Sequence, residues 1–264
     1  MKKNFKYFTF FLLQISFFTI CNLQSASANE NISHYENIFK LGNEAYSKGN
    51  YDSAIFYYES IINADFESAS LYYNLGNAYY KMKYLPNTIL CYEKSKKLKP
   101  DDSDNAFNLQ LANQQITDKI EPLPEIFYLK WWNEIISSAS VDSWGKWAII
   151  LSFYAMLMFS FFVLSDSATM KRIYFWSGIV GIFLLIFSFS FALKQQSLIT
   201  KESDAIVFSP SVTTKSSPDE NSTNLFVIHE GTKVKILEKV DDWCKISLPD
   251  GNIGWIKKEE IRVI

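Results

Sequence analysis

The chain has 264 residues, 48% apolar, 17% aromatic and 20% charged, with Lys+Arg 26 against Asp+Glu 28 for a formal net charge of −2. A balance so near zero argues against the electrostatic footprint of a nucleic-acid binder, and at about 150 residues per domain the length suits one or two domains. His34 and His229 are the only histidines, and Cys21, Cys91 and Cys244 form no CxxC, so neither a zinc site nor thioredoxin-like exchange has the residues it needs and no cofactor is expected.

Much of the apolar content is gathered in three uncharged runs, Tyr7 to Asn29, Trp147 to Leu164 and Ile173 to Leu193. That distribution describes a membrane-associated chain, not one soluble globule. Lys2, Lys3 and Lys6, then the apolar Tyr7 to Ile20, then Ala26-Ser27-Ala28 read as a secretory signal peptide over residues 1–28. A lipoprotein signal on Cys21 is poorly served by Thr19 and Ile20 before it. An uncleaved anchor is the third reading, although about 14 apolar residues fall short of the roughly 20 that a spanning helix needs. Export places the next segment outside the cytoplasm. Cys91 and Cys244 then face an oxidising space, but lie in different modules and are expected to stay unpaired.

Leu41-Gly42-Asn43 recurs as Leu75-Gly76-Asn77, a shift of 34 residues. The second copy, SLYYNLGNAYYKMKYLPNTILCYEKSKKLKP, has Tyr72, Leu75, Gly76, Tyr79, Tyr92 and Pro100, with Thr88 in place of a small alanine. The first copy has Leu41, Gly42, Gly49, Tyr51, Ala54 and Tyr58, with Ala45 and Phe66 as departures. Both copies resemble the tetratricopeptide repeat. Its packing logic is visible in the residues: small side chains at Gly42, Ala54 and Gly76 let two helices approach, and Tyr58 and Tyr92 fill the space between neighbours. One such hairpin cannot bury its own face. Repeats are therefore expected at 34–67 and 68–101, with a capping helix at 103–118 where Phe107-Asn108-Leu109 echoes Tyr73-Asn74-Leu75. The lysines 94, 96, 97 and 99 before Pro100 either form a docking patch or offset the negative end of a helix dipole, and the second reading is preferred.

Tetratricopeptide arrays bind partners along a groove lined by the first helix of each repeat. The resemblance implies Phe39, Asn43, Tyr46, Tyr73, Asn77, Tyr80 and Phe107 as groove residues, with Asn43 and Asn77 at positions where relatives hold an extended peptide backbone. Carboxylate capture is not expected, because lysines of that clamp are replaced by Phe39, Tyr73 and Phe107. The alternative for each aromatic is simple packing between helices.

Trp147 to Leu164 and Ile173 to Leu193 are long enough to cross a bilayer. Joined only by residues 165–172, they read as a transmembrane hairpin, preceded by a linker over 119–146. Trp131, Trp132, Trp144, Trp147, Tyr174 and Trp176 suit the headgroup belt, and Lys171 and Arg172 put the short connection in the cytoplasm. No charge lies within either run, which leaves no ion path or proton relay, only an anchor.

From Ala205 the pattern turns to short β-type runs, Leu225 to His229, Lys233 to Leu237 and Trp243 to Leu248, with Asp250-Gly251 as a hairpin signal. The stretch LFVIHEGTKVKILEKVDDWCKISLPDGNIGWIKKEEI resembles the bacterial SH3 family, a small all-β barrel, expected here over 203–264. The resemblance implies Trp243 and Trp255 as core or groove aromatics. His229, with no cysteine nucleophile near it in sequence, is read as structural.

The fold class expected is thus a multi-domain membrane protein: an α-helical tetratricopeptide solenoid, two transmembrane helices and an SH3-like barrel. That order of modules, with the linker DKIEPLPEIFYLKWWN, resembles BatE proteins of the Bacteroides aerotolerance operon. The resemblance implies an inner-membrane scaffold with periplasmic soluble domains, acting with Bat membrane proteins that carry von Willebrand A domains and with a MoxR-type ATPase. A reading from another class is a cell-wall sensor or accessory of peptidoglycan turnover, its barrel gripping wall peptides. No nucleophile and base pair, phosphate loop or metal cluster stands out, so an enzyme is not expected.

Overall fold

The computed structural model describes residues 29–124, 127–200 and 203–264; the expected signal peptide at 1–28 lies outside the described residues. The chain divides into two compact units after Phe66.

In the first unit, α1 (Asn29–Ser47) and α2 (Tyr51–Ile62) form a helical hairpin. The turn between them is built on Gly49 at φ +79. Its N–H donates to the Tyr46 carbonyl at 3.0 Å, and that of Asn50 reaches back to Ala45 at 2.9 Å, satisfying carbonyls that the end of a helix leaves unpaired.

The second unit opens with α3 (Ala69–Lys81) and α4 (Leu85–Leu98), and the same turn returns 34 residues later with Lys83 at φ +62. Lys83 donates to Tyr80 at 3.1 Å and Tyr84 to Tyr79 at 3.0 Å. A side chain held in the left-handed region costs about 1 kcal/mol, so Lys83 occupies a position that the packing of the repeat imposes on it. Ser68 caps α3, accepting from the Leu71 N–H at 3.1 Å, and Pro86 starts α4, where its missing N–H has no partner to lose. Helix α5 (Ser103–Asn113) follows, capped by Asp102.

Next come α6 (Phe127–Ile136), α7 (Val141–Leu164) and α8 (Ala168–Thr200). The last two are long and apolar enough to cross a membrane, and they pack antiparallel as a hairpin. Gly181 lets the Tyr154 ring come close, the Tyr154 and Ser177 hydroxyls meet at 2.5 Å, and Ser188 donates to the Trp144 carbonyl at 2.7 Å. The structure changes the expected boundaries. The connection is only Ser165–Ser167, with Lys171 and Arg172 already inside α8, and the stretch expected as a linker contains α6 and the start of α7. The reason is local: Ser140 caps α7, which begins at Val141, six residues ahead of the uncharged run, accepting from the Ser143 N–H, and polar residues on either side of an apolar run do not stop a helix.

The carboxy-terminal sheet has seven strands: β1 (Asp204–Val207), β2 (Ser211–Lys215), β3 (Asn224–His229), β4 (Lys233–Val240), β5 (Trp243–Ser247), β6 (Ile253–Lys257) and β7 (Ile261–Val263). All pairs are antiparallel, in the order β3-β2-β6-β5-β4-β1-β7. Ala205, Val234, Ile236, Cys244, Ile246 and Ile256 are among the side chains that fill its core.

Strand β1 is buried on both faces. Ala205 and Val207 point into the sheet's own core, while Ile206 between them joins Ile89 and Tyr92 of α4, Leu109 and Ala112 of α5, and Ile264. Alternation along a strand makes such two-sided burial possible, and it fuses the sheet to the second repeat through one shared apolar cluster.

Candidate functional site

Each repeat contains the same tyrosine and asparagine couple. The Tyr58 hydroxyl donates to Asn43 Oδ1 at 2.8 Å, and one repeat later Tyr92 donates to Asn77 Oδ1 at 2.7 Å. Both tyrosines are 1% exposed, and each ring lies where a Cβ on Gly42 or Gly76 would be, at 2.5 and 2.6 Å respectively. Glycine admits the ring, and the neighbouring asparagine satisfies its hydroxyl, a group that is costly to bury unpaired. The two asparagines expected to hold a peptide thus have their oxygens engaged within the repeat.

Around that couple the expected groove residues are placed as follows. In the first unit, the Phe39 ring packs against Tyr58 at 5.8 Å and that of Tyr46 against Tyr51 at 5.3 Å. In the second, Asn108 of α5 donates to the Tyr73 hydroxyl at 3.1 Å and to Asn77 Oδ1 at 3.0 Å, and Gln115 donates to the Tyr80 hydroxyl at 3.0 Å. Tyr73, Asn77 and Tyr80 are half-buried and Phe107 is exposed, so α3 and α5 together present a strip of aromatic edges and amides. Asn108 and Gln115 were not among the expected residues. The echo of Tyr73-Asn74-Leu75 at Phe107-Asn108-Leu109 was the signal for Asn108, and Gln115 lies outside it.

The lysine run before Pro100 is engaged. Lys94 sits over the Tyr72 ring at 5.3 Å, Lys97 donates to the Ile264 carbonyl at 2.7 Å, and Lys99 pairs with Asp102 at 3.1 Å. Lys97 is one of several polar links between the second repeat and the sheet. Lys233 on β4 lies 2.9 Å from Glu93 of α4 and 3.3 Å from Asp204. Burial works against its charge, yet the two carboxylates hold its pKa above the ordinary lysine value. Asp118 accepts from the His229 N–H at 2.6 Å, from the His229 ring at 2.8 Å and from the Thr232 hydroxyl at 2.7 Å. Further along, Leu123 donates to the Pro249 carbonyl at 3.0 Å and Ile120 packs against the sheet core. Residues 118–124, expected as the end of the capping helix and the start of a linker, are a strap across the sheet, and the helix itself ends at Asn113. His229, read from sequence as structural, is one of its attachment points.

On β5 and β6 the buried alternation belongs to Cys244, Ile246 and Ile256, so Trp243 and Trp255 stand on the opposite face. There Trp243 pairs with Lys257 and Lys245 with Trp255, the Lys245 ammonium lying 5.8 Å from the Trp255 ring centre. Trp255 is 9% exposed. The loop after β2 folds toward it, with Glu220 pairing Lys257 and its carbonyl accepting from Lys215 at 2.7 Å. Of the two tryptophans expected as core or groove, Trp255 is thus buried beneath this loop, and Trp243 is half-buried on the same face beside Lys245 and Lys257. Cys91 and Cys244 are both buried and neither is in a disulfide, and burial pushes the Cys244 thiol's pKa up, which leaves it unreactive.

Comparison with known families agrees with this geometry. Residues 35–68 and 69–102 each match the tetratricopeptide repeat, and residues 215–262 match the bacterial SH3 domain. No curated protein matches the chain. The chain therefore carries two tetratricopeptide repeats and a bacterial SH3 domain, families that typically bind proteins or peptidoglycan without catalysing a reaction.

Proposed function

We propose that this chain is a non-enzymatic scaffold, anchored in the cytoplasmic membrane by α7 and α8, with its repeats and SH3 domain on the periplasmic side and its second repeat and SH3 domain acting as one binding module. The observation that carries this reading is the set of links from Glu93, Lys97 and Asp118, before the hairpin, to Lys233, Ile264 and His229 after it. Groups on opposite sides of a bilayer could not make those bonds. A hairpin returns the chain to the side it left, and the signal-like first 28 residues together with Lys171 and Arg172 near the tight connection favour the periplasm.

The partner is a protein segment laid along the aromatic and amide strip of Tyr73, Tyr80, Phe107, Asn108 and Gln115, by extended-peptide or helix-in-groove contact. The order of modules and its likeness to BatE proteins favour other Bat membrane proteins with von Willebrand A domains and a MoxR-type ATPase as the complex served, in aerotolerance or envelope stress.

A second reading, retention on the cell wall, is favoured by the outer face of β5 and β6, where the half-buried Trp243 stands with Lys245 and Lys257. Aromatic faces stack on sugars and peptides, and ammonium groups attract carboxylates.

The test is capture of partners from native membranes by the full chain, comparing wild type with Tyr80→Ala combined with Phe107→Ala. Loss of capture with unchanged helicity supports the scaffold. Undiminished capture rejects the strip as the binding face. Retention of the full chain on insoluble wall material, abolished by Trp243→Ala, selects the second reading.

A further inference from the structure

Helix α6 has no role in the module described so far, yet its sequence, FYLKWWNEII, is strongly two-sided. At 100° per residue Lys130, Asn133 and Glu134 fall on one side, and Phe127, Tyr128, Trp131, Trp132, Ile135 and Ile136 on the other. Only one end of this apolar side is covered. Ile136 is 1% exposed, whereas Trp131 is 60% and Phe127 82% exposed. Phe127, Tyr128 and Trp131, and in part Trp132, are thus held in the open beside a hairpin, where water is a poor neighbour for them.

The position of α6 relative to the hairpin is fixed by several contacts. The Trp144 ring N–H donates to the Ile136 carbonyl at 3.1 Å. The Trp132 and Trp144 rings both pack edge-on against Phe191, at 5.5 and 5.1 Å. Trp144 lies just before the uncharged run of α7, which starts at Trp147, and Phe191 lies at the end of the uncharged run of α8, which stops at Leu193. Residues 137–140 are all that separates α6 from α7. The helix is therefore tied to the level at which both long helices pass from apolar to polar.

We propose that α6 is an interfacial helix: it lies in the membrane surface with Phe127, Tyr128 and Trp131 among the lipid headgroups and upper acyl chains, and with Lys130, Asn133 and Glu134 in water. The inference rests on α7 and α8 crossing the bilayer. The occupant is lipid because lipid is what a helix at that level meets, and because tryptophan and tyrosine, apolar with one polar edge, are the side chains that settle at that boundary. The strap that grips the SH3 domain ends immediately before this helix, so the membrane surface becomes the base on which the module stands. A shallow, surface-parallel helix resists rotation of the module about the hairpin axis, which the hairpin by itself does not.

Site-directed spin labelling of the full chain in phosphatidylcholine vesicles tests this. Labels at positions 127, 131, 130, 134 and, as a reference inside α8, 180 are compared for collision with oxygen, which enters the bilayer, and with a water-soluble nickel chelate, which does not. The proposal predicts that labels at 127 and 131 collide severalfold more with oxygen than with nickel, that labels at 130 and 134 show the reverse, and that the label at 180 is the most nickel-protected of all. Equal nickel access at all four α6 positions, with 180 still protected, overturns the interfacial helix and leaves the spans intact. Nickel access at 180 overturns both. Labels at 127 and 131 shielded from oxygen and nickel alike mean that protein covers the face, and this too overturns the proposal.

Discussion

Asp118 and His229, 111 residues apart, are joined twice: one carboxylate oxygen accepts the His229 backbone N–H at 2.6 Å and the other lies 2.8 Å from the ring Nδ1. An ionised carboxylate only accepts, so the ring nitrogen is the donor. With the Thr232 hydroxyl as a third donor, Asp118 organises the bend between β3 and β4 from outside the sheet, and this bend is what the strap holds.

The pair sets a pH limit on the junction. Burial opposes the charge of Asp118, but the hydrogen bonds from the His229 ring, the His229 N–H and Thr232 outweigh it and hold its pKa below the usual carboxylate value. A lowered folded pKa gives stability that is complete above the unfolded value of about 3.9 and is lost as the pH falls through the folded one. As Asp118 takes up its proton, the junction is expected to loosen below about pH 4. Asp118→Asn, which cannot accept at both oxygens, should cost about 1–3 kcal/mol at neutral pH and remove most of the acid dependence. Hydrogen exchange at the His229 amide reads this directly. An acid profile unchanged by the substitution contradicts it.

The couple of Gly76 and Tyr92 predicts opposite outcomes for two single changes in one repeat. Gly76→Ala gains about 1 kcal/mol of helix propensity, but its Cβ would sit 2.6 Å from a ring that is 1% exposed, and overpacking of this kind costs about 1–3 kcal/mol. Net destabilisation is expected. Lys83→Gly relieves a left-handed side chain at φ +62 and is expected to stabilise by about 0.5–1 kcal/mol. Denaturant midpoints that move in the same direction for both variants contradict the account of the turn.

These two positions show what the sequence made legible. The repeat period placed Gly42, Gly76, Tyr58 and Tyr92 correctly as a packing set, because local spacing on two helices dictates which side chains meet. The asparagines beside them were assigned to a ligand by resemblance, while their oxygens bond tyrosine hydroxyls 15 residues away. The alternation of β5 could have told that Trp243 faces away from Cys244 and Ile246, since all three lie on one strand of period two. The strap, the bond from Lys97 to Ile264 and the two-sided burial of Ile206 were not legible, because they join segments far apart in the chain and no local pattern encodes that meeting.

The shared cluster predicts that the SH3 domain is incomplete without its helices. Cutting it out at residues 203–264 exposes Ile206 and Ile264, which are buried against α4 and α5, at about 1.5–3 kcal/mol each. For a sheet of about sixty residues that is most of its stability. The isolated segment is expected to melt well below the intact chain and to regain stability when residues 68–124 are added in trans. Identical melting with and without the helical segment contradicts the shared core, and wall-binding assays on the isolated segment are informative only once this is known.

Removing the hydroxyl of Tyr92 separates packing from binding. Tyr92→Phe leaves Asn77 without one of its donors and should cost about 1 kcal/mol, yet the strip formed by Tyr80 and Phe107 is untouched, so partner capture is expected to persist. Tyr80→Ala with Phe107→Ala should do the reverse, sparing stability and losing capture. Both variants behaving alike would mean that the strip is only a packing surface.

The central claim is that the repeats and the SH3 domain share one side of a bilayer crossed by α7 and α8. Single cysteines at the exposed positions Gln114, Asn221 and Asp166, labelled with a membrane-impermeant maleimide in intact spheroplasts, test it most directly, since Cys91 and Cys244 are buried. Gln114→Cys and Asn221→Cys are expected to label together, with Asp166→Cys labelling only after the membrane is broken. Labelling of one soluble position while the other stays protected until lysis contradicts the account.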